Sequence, residues 1–298
     1  FGDDLTIAEG AFGFEFLDER LGLALLRVAG VVQTGAILLA HVRTLAVELG
    51  GVVHLEKRFQ QLAIRGLAGI EDHFDRAPDL EKTLEDKGKK ELLDRLRHLW
   101  HKTDIHFLRQ HEMKGLGHAV LQAETFAGGE PVAVMLPDDL FFGGKPAIGQ
   151  LMSARERHGG SVVAVGRYPV EMLKGYGVPA LGEWADERTV RFKHVVEKPA
   201  PEKMESDLGV VGRYVLEPAI FEALRNTKPG ALGEIQVTDG IDALARNGKV
   251  FGYLYEGERF DAGNPAGMLE ATLYLAMKDP ASKEKVRVLL ERALRKTV

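Results

Sequence analysis

From residue 71 onward the apolar positions of the chain switch between two spacings. Asp79 to Trp100 sets Leu80, Leu84, Leu92, Leu93, Leu96 and Leu99 among charged residues at helical intervals, with Asp79 as N-cap behind Pro78. "DIHFLRQ" (104–110) predicts a strand, "GHAVLQAETF" a helix, "PVAVMLP" a buried strand, and "KPAIGQLMSARERHG" a helix ending at Gly159. "SVVAVGRY" and "VVGRYVL" (210–216) predict two more strands, and "PAIFEALRN" a helix with proline at its first position. "TDGIDALARNG" places Ile241, Leu244 and Ala245 on one helical face and stops at Asn247-Gly248; "KVFGYLYEG" is a strand. Two helices, from about Pro265 and Ala281, close the pattern. Strands alternating with helices predict an α/β fold, a mixed and mostly parallel sheet flanked by helices. No internal repeat and no low-complexity linker interrupts it.

The first 70 residues have a different make-up. They contain no proline, serine, asparagine, methionine, tyrosine or tryptophan and one lysine, Lys57, whereas all 12 prolines and all 7 methionines lie downstream, the first methionine being Met113. A chain that opens on Phe1 with this break reads as a fragment, or as one altered upstream. Leu21 to Ala40, "LGLALLRVAGVVQTGAILLA", approaches membrane-spanning length, but Arg27, Gln33 and Thr34 interrupt it. A central arginine alone costs about 2.5–3.5 kcal/mol on insertion scales, so the segment reads as soluble core and no membrane partner is expected.

At 298 residues and 45% hydrophobic content the chain can bury a large core. A net charge of −5, from 39 basic and 44 acidic residues, gives no electrostatic reason to expect nucleic acid as partner. The absence of cysteine excludes disulfides and thiolate metal sites and fits a cytoplasmic location.

In sheets of the predicted kind, ligands gather beyond the carboxyl ends of the strands. "PVAVMLPDD" delivers Asp138 and Asp139 to that edge. Two readings stand: a carboxylate that holds Mg²⁺, an ion content with one or two carboxylates plus substrate phosphates, or a turn cap at Asp138 beside a solvated Asp139. In "KGLGHAVLQA", Gly115 and Gly117 let the backbone approach a ligand, or simply turn a strand into a helix. In "VVEKP" (195–199), Glu197 can accept from vicinal hydroxyls while Lys198 meets a phosphate, or the two form a solvated pair. "RFDAGNP" (259–265) offers Asp261 as a second metal carboxylate or a plain helix entry, and "YGVPALG" (176–182) offers Gly177 to a sugar or to a turn. None of the four serines stands in a G-x-S-x-G elbow, the ten histidines include no H-E-x-x-H, and no G-x-x-x-x-G-K-[ST] loop occurs.

Taken in order, "RG…IEDHFD" (65–75), "RQ…KGLGHAVL" (109–121), "EPVAVMLPDD" (130–139), "YGV", "VVEKP", "VGRYVL", "GEIQVTDGID" (233–242) and "FDAGN" (260–264) resemble the bacterial UDP-glucose pyrophosphorylases (UTP–glucose-1-phosphate uridylyltransferases). The resemblance implies a Rossmann-like nucleotidyltransferase fold and attack of glucose 1-phosphate on the α-phosphorus of UTP with loss of pyrophosphate. It implies that Asp138 and Asp261 bind Mg²⁺, that Asp139 helps anchor the nucleotide, and that Gln110 reads the uracil edge above Gly115 and Gly117. Gly177 and Glu197 would hold glucose hydroxyls, and Lys198 with Asp138 would serve catalysis. The family's G-x-G-T-R loop and P-K-E segment have no counterpart in residues 1–64, where "GAFGFEF" lacks the arginine. The implied organisation is an atypical segment at 1–64 followed by a nucleotidyltransferase domain at 65–298, with "GVVHL" (51–55) a possible substitute for the first strand. A catalytically silent sugar-nucleotide binder and a nucleotidyltransferase of other base or sugar specificity are the alternatives. The stripe Val286, Leu289, Leu290 and Leu294 offers either a homo-oligomer contact or a face packed on the chain's own sheet.

Overall fold

The computed structural model describes residues 26–32, 36–42, 76–230 and 233–296. "GVVHL" and the "IEDHFD" segment lie outside them. Strands β1 (Leu26–Val32) and β2 (Ala36–Val42) pair antiparallel and overlap the stretch weighed above as a membrane span. Among the described residues no helix is long and apolar enough to cross a membrane.

The leucine-rich stretch expected as one helix is two, α1 (Pro78–Asp86) and α2 (Lys90–Lys102). Gly88 takes φ +66 between them, and Pro78 rather than Asp79 opens the first, its missing N–H costing nothing there. Buried Glu81 is gripped by Arg76 at 2.9 Å and Arg97 at 3.0 Å, which ties the two helices together. Next come β3 (Thr103–Arg109) and a helix broken at Ala123 into α3 (Leu116–Gln122) and α4 (Glu124–Ala127). The chain continues through β4 (Val132–Met135), β5 (Asp139–Phe142), α5 (Ala147–His158), β6 (Ser161–Arg167) and α6 (Val170–Leu173). The hairpin β7 (Gly177–Trp184) and β8 (Thr189–Glu197) leads to β9 (Leu208–Leu216), α7 (Ala219–Asn226) and α8 (Val237–Ala245). The last elements are β10 (Val250–Leu254), β11 (Glu258–Asp261), α9 (Pro265–Lys278) and α10 (Lys283–Lys296).

The main sheet has the order β3-β2-β1-β4-β9-β6-β10-β8-β7. It is mixed, but not mostly parallel: among the described residues β1–β4 and β6–β10 are its parallel pairings and the rest are antiparallel. Strands β1, β4, β6 and β10 do run the same way, as an alternating strand–helix pattern dictates. Strand β9 runs against them and slots between β4 and β6, and periodicity along the chain carries no information on such insertion.

Strand β9 is buried along its whole length because both faces of the sheet are covered. One face carries Val134, Val163, Phe192 and Leu216 under α3, α7 and α8, with Ile241 of α8 in the same cluster; the other packs Ile148, Leu151 and Ala154 of α5 on Val162, Ala164 and Val215. A small ladder of β5 with β11 sits beside the sheet with its own cluster, Leu140, Phe260 and Ala271. The C-terminal stripe does not pack on the sheet: Leu289 and Leu294 on α10 stay exposed.

Candidate active site

Strand β4 runs into Leu136, Pro137, Asp138 and Asp139, and Asp139 starts β5, whose partner β11 sets Asp261 directly opposite Asp139. Ala262 N donates to Asp138 O at 2.7 Å, closing the ladder one residue beyond. A Cβ placed on Gly263 would lie 3.0 Å from Asp138 Oδ2 and 3.1 Å from Asp261 Oδ1, so the two carboxylates face the same bare stretch of backbone. Gly263 N donates to Asp261 Oδ1 at 3.0 Å, and Asn264 caps α9 by accepting from Gly267 N. The segment "FDAGNP" is thus a helix entry and also a carboxylate-bearing strand end.

Burial pushes the Asp138 carboxyl up, and the negative charges of Asp139 and Asp261 push it further. Negative charge concentrated in a half-buried niche suits a divalent cation. Among the described residues no group of three or more His, Cys, Asp or Glu side chains forms a metal cage. The donors present are an oxygen pair, the set a cation uses when phosphates and water complete its shell.

Asp139 is not solvated: it is 5% exposed. Its Oδ2 accepts from Gly212 N at 2.5 Å and its Oδ1 pairs with the Arg259 guanidinium. Both oxygens of the expected nucleotide anchor are therefore engaged by protein donors, and the carboxylate serves as a buried brace between β5 and β9. Arg213 reinforces the turn, donating to Leu136 O at 2.9 Å and Asp139 O at 2.8 Å while lying over the Phe141 ring.

The sugar-side candidates meet on another pair of strands. Gly177 and Glu197 are cross-strand partners in β7 and β8, and Gly177 also pairs with Val210 of β9. Thr238, in the first turn of α8, donates to Glu197 Oε2 at 2.6 Å. A Cβ on Gly177 would come within 3.3 Å of that carboxylate, so the glycine leaves one face of Glu197 open. Lys198 takes φ 46, an uncommon conformation for a side-chain-bearing residue, and its N–H donates to Tyr176 O at 3.0 Å. Its side chain is 61% exposed and its ammonium stands 3.9 Å from Glu197 Oε1, a long, solvent-facing ion pair.

Strand β9 measures the gap between these halves. Val210 pairs with Gly177 and Gly212 holds Asp139, and two strand residues span about 7 Å. Both halves stand at the edge where β4 and β6 end.

Gln110 follows β3 at the same edge. Ala36 is opposite both Arg109 and Val32, and Gly30 is opposite Met135, which brings Gln110 level with Asp138. Three strand spacings, about 14 Å, separate them. Gln110 Nε2 donates to Gly115 O at 3.1 Å and lies 2.8 Å from His118 Nδ1. Gly115 and Gly117 are packed against the chain itself, since a Cβ on either would meet Ile235 O at 2.8 Å. Gly117 N donates to that same oxygen, which docks "GEIQ" onto the glycine turn.

Sequence reasoning missed Thr238, Arg259 and Tyr176 as parts of this site. Two of them carried a signal. Alternation along β11 puts Arg259 on the face of Asp261, and Tyr176 directly precedes Gly177. Thr238 lies far from Glu197 in the chain, and no local pattern links them.

Residues 76–278 match the family model described as nucleotidyl transferase. A UTP–glucose-1-phosphate uridylyltransferase of Bacillus subtilis (strain 168) is 42% identical over 229 residues, 76% of this chain and 77% of the relative. One from Staphylococcus haemolyticus (strain JCSC1435) is 41% identical over 217 residues, covering 73% and 75%. Among solved structures, a UDP-glucose pyrophosphorylase complexed with UDP-glucose superposes with TM-score 0.61 at 37% identity, over 70% of this chain and 76% of that one. A UTP-bound enzyme from Acinetobacter baumannii gives TM-score 0.63 at 31% identity, over 75% and 78%.

Proposed function

We propose that this chain, which belongs to the nucleotidyl transferase family, converts UTP and glucose 1-phosphate into UDP-glucose and pyrophosphate. The observation that carries the reading is the convergence on one edge of the sheet of a carboxylate pair, Asp138 and Asp261, and a sugar clamp, Glu197 with Gly177, both registered on β9. The identity to uridylyltransferases supports the choice of base and sugar.

Two anions must approach for this transfer, and their repulsion is the main barrier to productive binding. Asp138 and Asp261 would hold Mg²⁺, which when bound supplies charge neutralisation to the reacting phosphates. Glu197 accepts from adjacent glucose hydroxyls, with Thr238 holding its second oxygen still. Lys198 swings its ammonium onto the sugar phosphate, offsetting charge as the phosphate oxygen forms its bond to the α-phosphorus. The bond from that phosphorus to the bridging oxygen breaks in line, and pyrophosphate leaves. Gln110 meets the uracil edge above Gly115 and Gly117, and Asp139 helps place the nucleotide by bracing the turn that carries Asp138. The exposed stripe on α10 supports a homo-oligomer, and the lack of cysteine a cytoplasmic setting.

A second reading has one observation behind it. Between the end of β1 at Val32 and the start of β2 at Ala36 the sequence reads Gln33, Thr34 and Gly35, without a cation for a triphosphate. A silent UDP-glucose binder follows if nothing else supplies one. Comparing UTP with dTTP, and glucose with galactose 1-phosphate, at equal Mg²⁺ tests the choice: the first of each pair should react with the higher kcat/KM. Equal rates would point to other specificity, and UDP-glucose binding without turnover to the silent binder.

A further inference from the structure

Between the carboxylate pair and the sugar clamp stands a buried cation. Arg259 is 7% exposed at its side chain, one arm of its guanidinium pairs with Asp139, and Nη1 of the other donates to Tyr176 Oη at 2.7 Å. Its plane lies 5.3 Å from the Tyr176 ring centroid, and that ring stacks on Tyr168 with centroids 5.0 Å apart. Its Nε is buried and finds no hydrogen-bond partner among the described residues, so the side chain is placed by its two arms. Tyr176 in turn controls the clamp through its backbone: its carbonyl accepts from Lys198 N at 3.0 Å, and the next residue is Gly177, opposite Glu197. Arg259 itself lies two residues before Asp261 on β11, opposite Phe141 of β5. A single planar fork therefore touches the strand pair that carries the carboxylates and the residue that carries the clamp.

We propose that Arg259 is a positioning residue that sets the spacing between the carboxylate pair and the sugar clamp by gripping Asp139 and Tyr176 with the two arms of one guanidinium. The inference rests on the functional reading above and adds to it a residue that contacts no substrate. Lysine cannot replace it, because a point charge on a flexible stem can satisfy Asp139 or Tyr176 but does not fix the angle between them. The nucleotide's uracil end depends on Gln110, several strands away, and is insulated from this link.

The test measures UDP and UDP-glucose affinity by calorimetry, with Mg²⁺ present, for the parent, Tyr176→Phe, Arg259→Lys and the double variant. Tyr176→Phe keeps the ring and its stacking, so it reads the grip without emptying the core. Near-UV circular dichroism checks that each variant keeps its packing. UDP affinity should stay within about 2-fold of the parent while UDP-glucose affinity falls about 10-fold, roughly the worth of one hydrogen bond. The double variant should be no worse than Arg259→Lys alone, because both changes cut one link. Equal losses for UDP and UDP-glucose, no loss for either, or additive effects in the double variant would overturn the inference. A parent that binds neither ligand would sink the functional reading itself and this inference with it, a failure visible before any variant is made.

Discussion

Strands β1 and β4 are parallel neighbours with Gly30 opposite Met135, so both stop at the same edge of the sheet. Beyond β4 come a proline and two aspartates, each tied to a distant element: Asp139 by its carboxylate to Gly212 and Arg259, Asp138 by its main-chain carbonyl to Ala262. After β1 the sequence reads Gln33, Thr34 and Gly35 before β2 begins, with no charged residue among them. The two strands are equivalent as members of a sheet and unequal as carriers of chemistry. Filling a strand position asks only for apolar residues that tolerate extended backbone, whereas a site asks for particular groups with partners that fix them.

The comparison breaks most sharply at Arg259. Replacing it with methionine leaves the Asp139 carboxylate buried without its counter-charge, a change that costs about 3–5 kcal/mol. Urea unfolding should show that loss in the midpoint with the slope little altered, and a variant as stable as the parent would mean that the brace between β5 and β9 is solvated after all. A smaller loss is expected on the β1 side. Ala29 pairs with Leu39 of β2 and Val134 of β4, so Ala29→Pro removes a ladder N–H from an interior strand and leaves its acceptor unmet, at about 1–3 kcal/mol. Unchanged stability would show β1 to be a passive cover over a sheet that begins at β4, and would widen the contrast.

Smallest is the effect expected at the second hairpin, β7–β8, whose connection holds a carboxylate, Asp186, where Gln33, Thr34 and Gly35 carry no charge. Burial alone would raise the Asp186 carboxyl, but hydrogen bonds from Arg188 N, His158 and Thr189 hold it well below the usual carboxylate range. A lowered folded pKa means that the contribution is complete above the ordinary carboxylate value of about 4 and fades as pH falls through the folded one. The fluorescence of Trp184, at the end of β7, should report loosening in that acid range, and Asp186→Asn should flatten the response. An identical acid titration in the variant would remove Asp186 from the account.

Much of this was legible in the chain. Strand or helix identity for most elements from β3 to α10 follows from alternation against helical spacing, whereas β5, α6 and β11, of four residues each, carry no such mark. The breaks were harder. Gly88 and Ala123 split runs whose apolar spacing continues across them, because local backbone choices at φ +66 or at a shared cap leave the hydrophobic period intact. Gly115 and Gly117 were readable as close-approach positions, but their neighbour is Ile235, more than a hundred residues on. Separation along the chain, 41 residues for Glu197 with Thr238 and 120 for Asp139 with Arg259, likewise hides those pairings, and the insertion of β9 between β4 and β6. Sequence patterns report what each segment is, and long-range partners decide what it does.

The most direct test of the central claim, that the carboxylate edge beyond β4 carries uridylyl transfer, is pyrophosphate release from UTP, glucose 1-phosphate and Mg²⁺ by the parent chain and by Asp138→Ala. The account predicts Mg²⁺-dependent release by the parent and a fall of at least about 100-fold in the variant. Release that survives the substitution, or none from a folded parent, would contradict it.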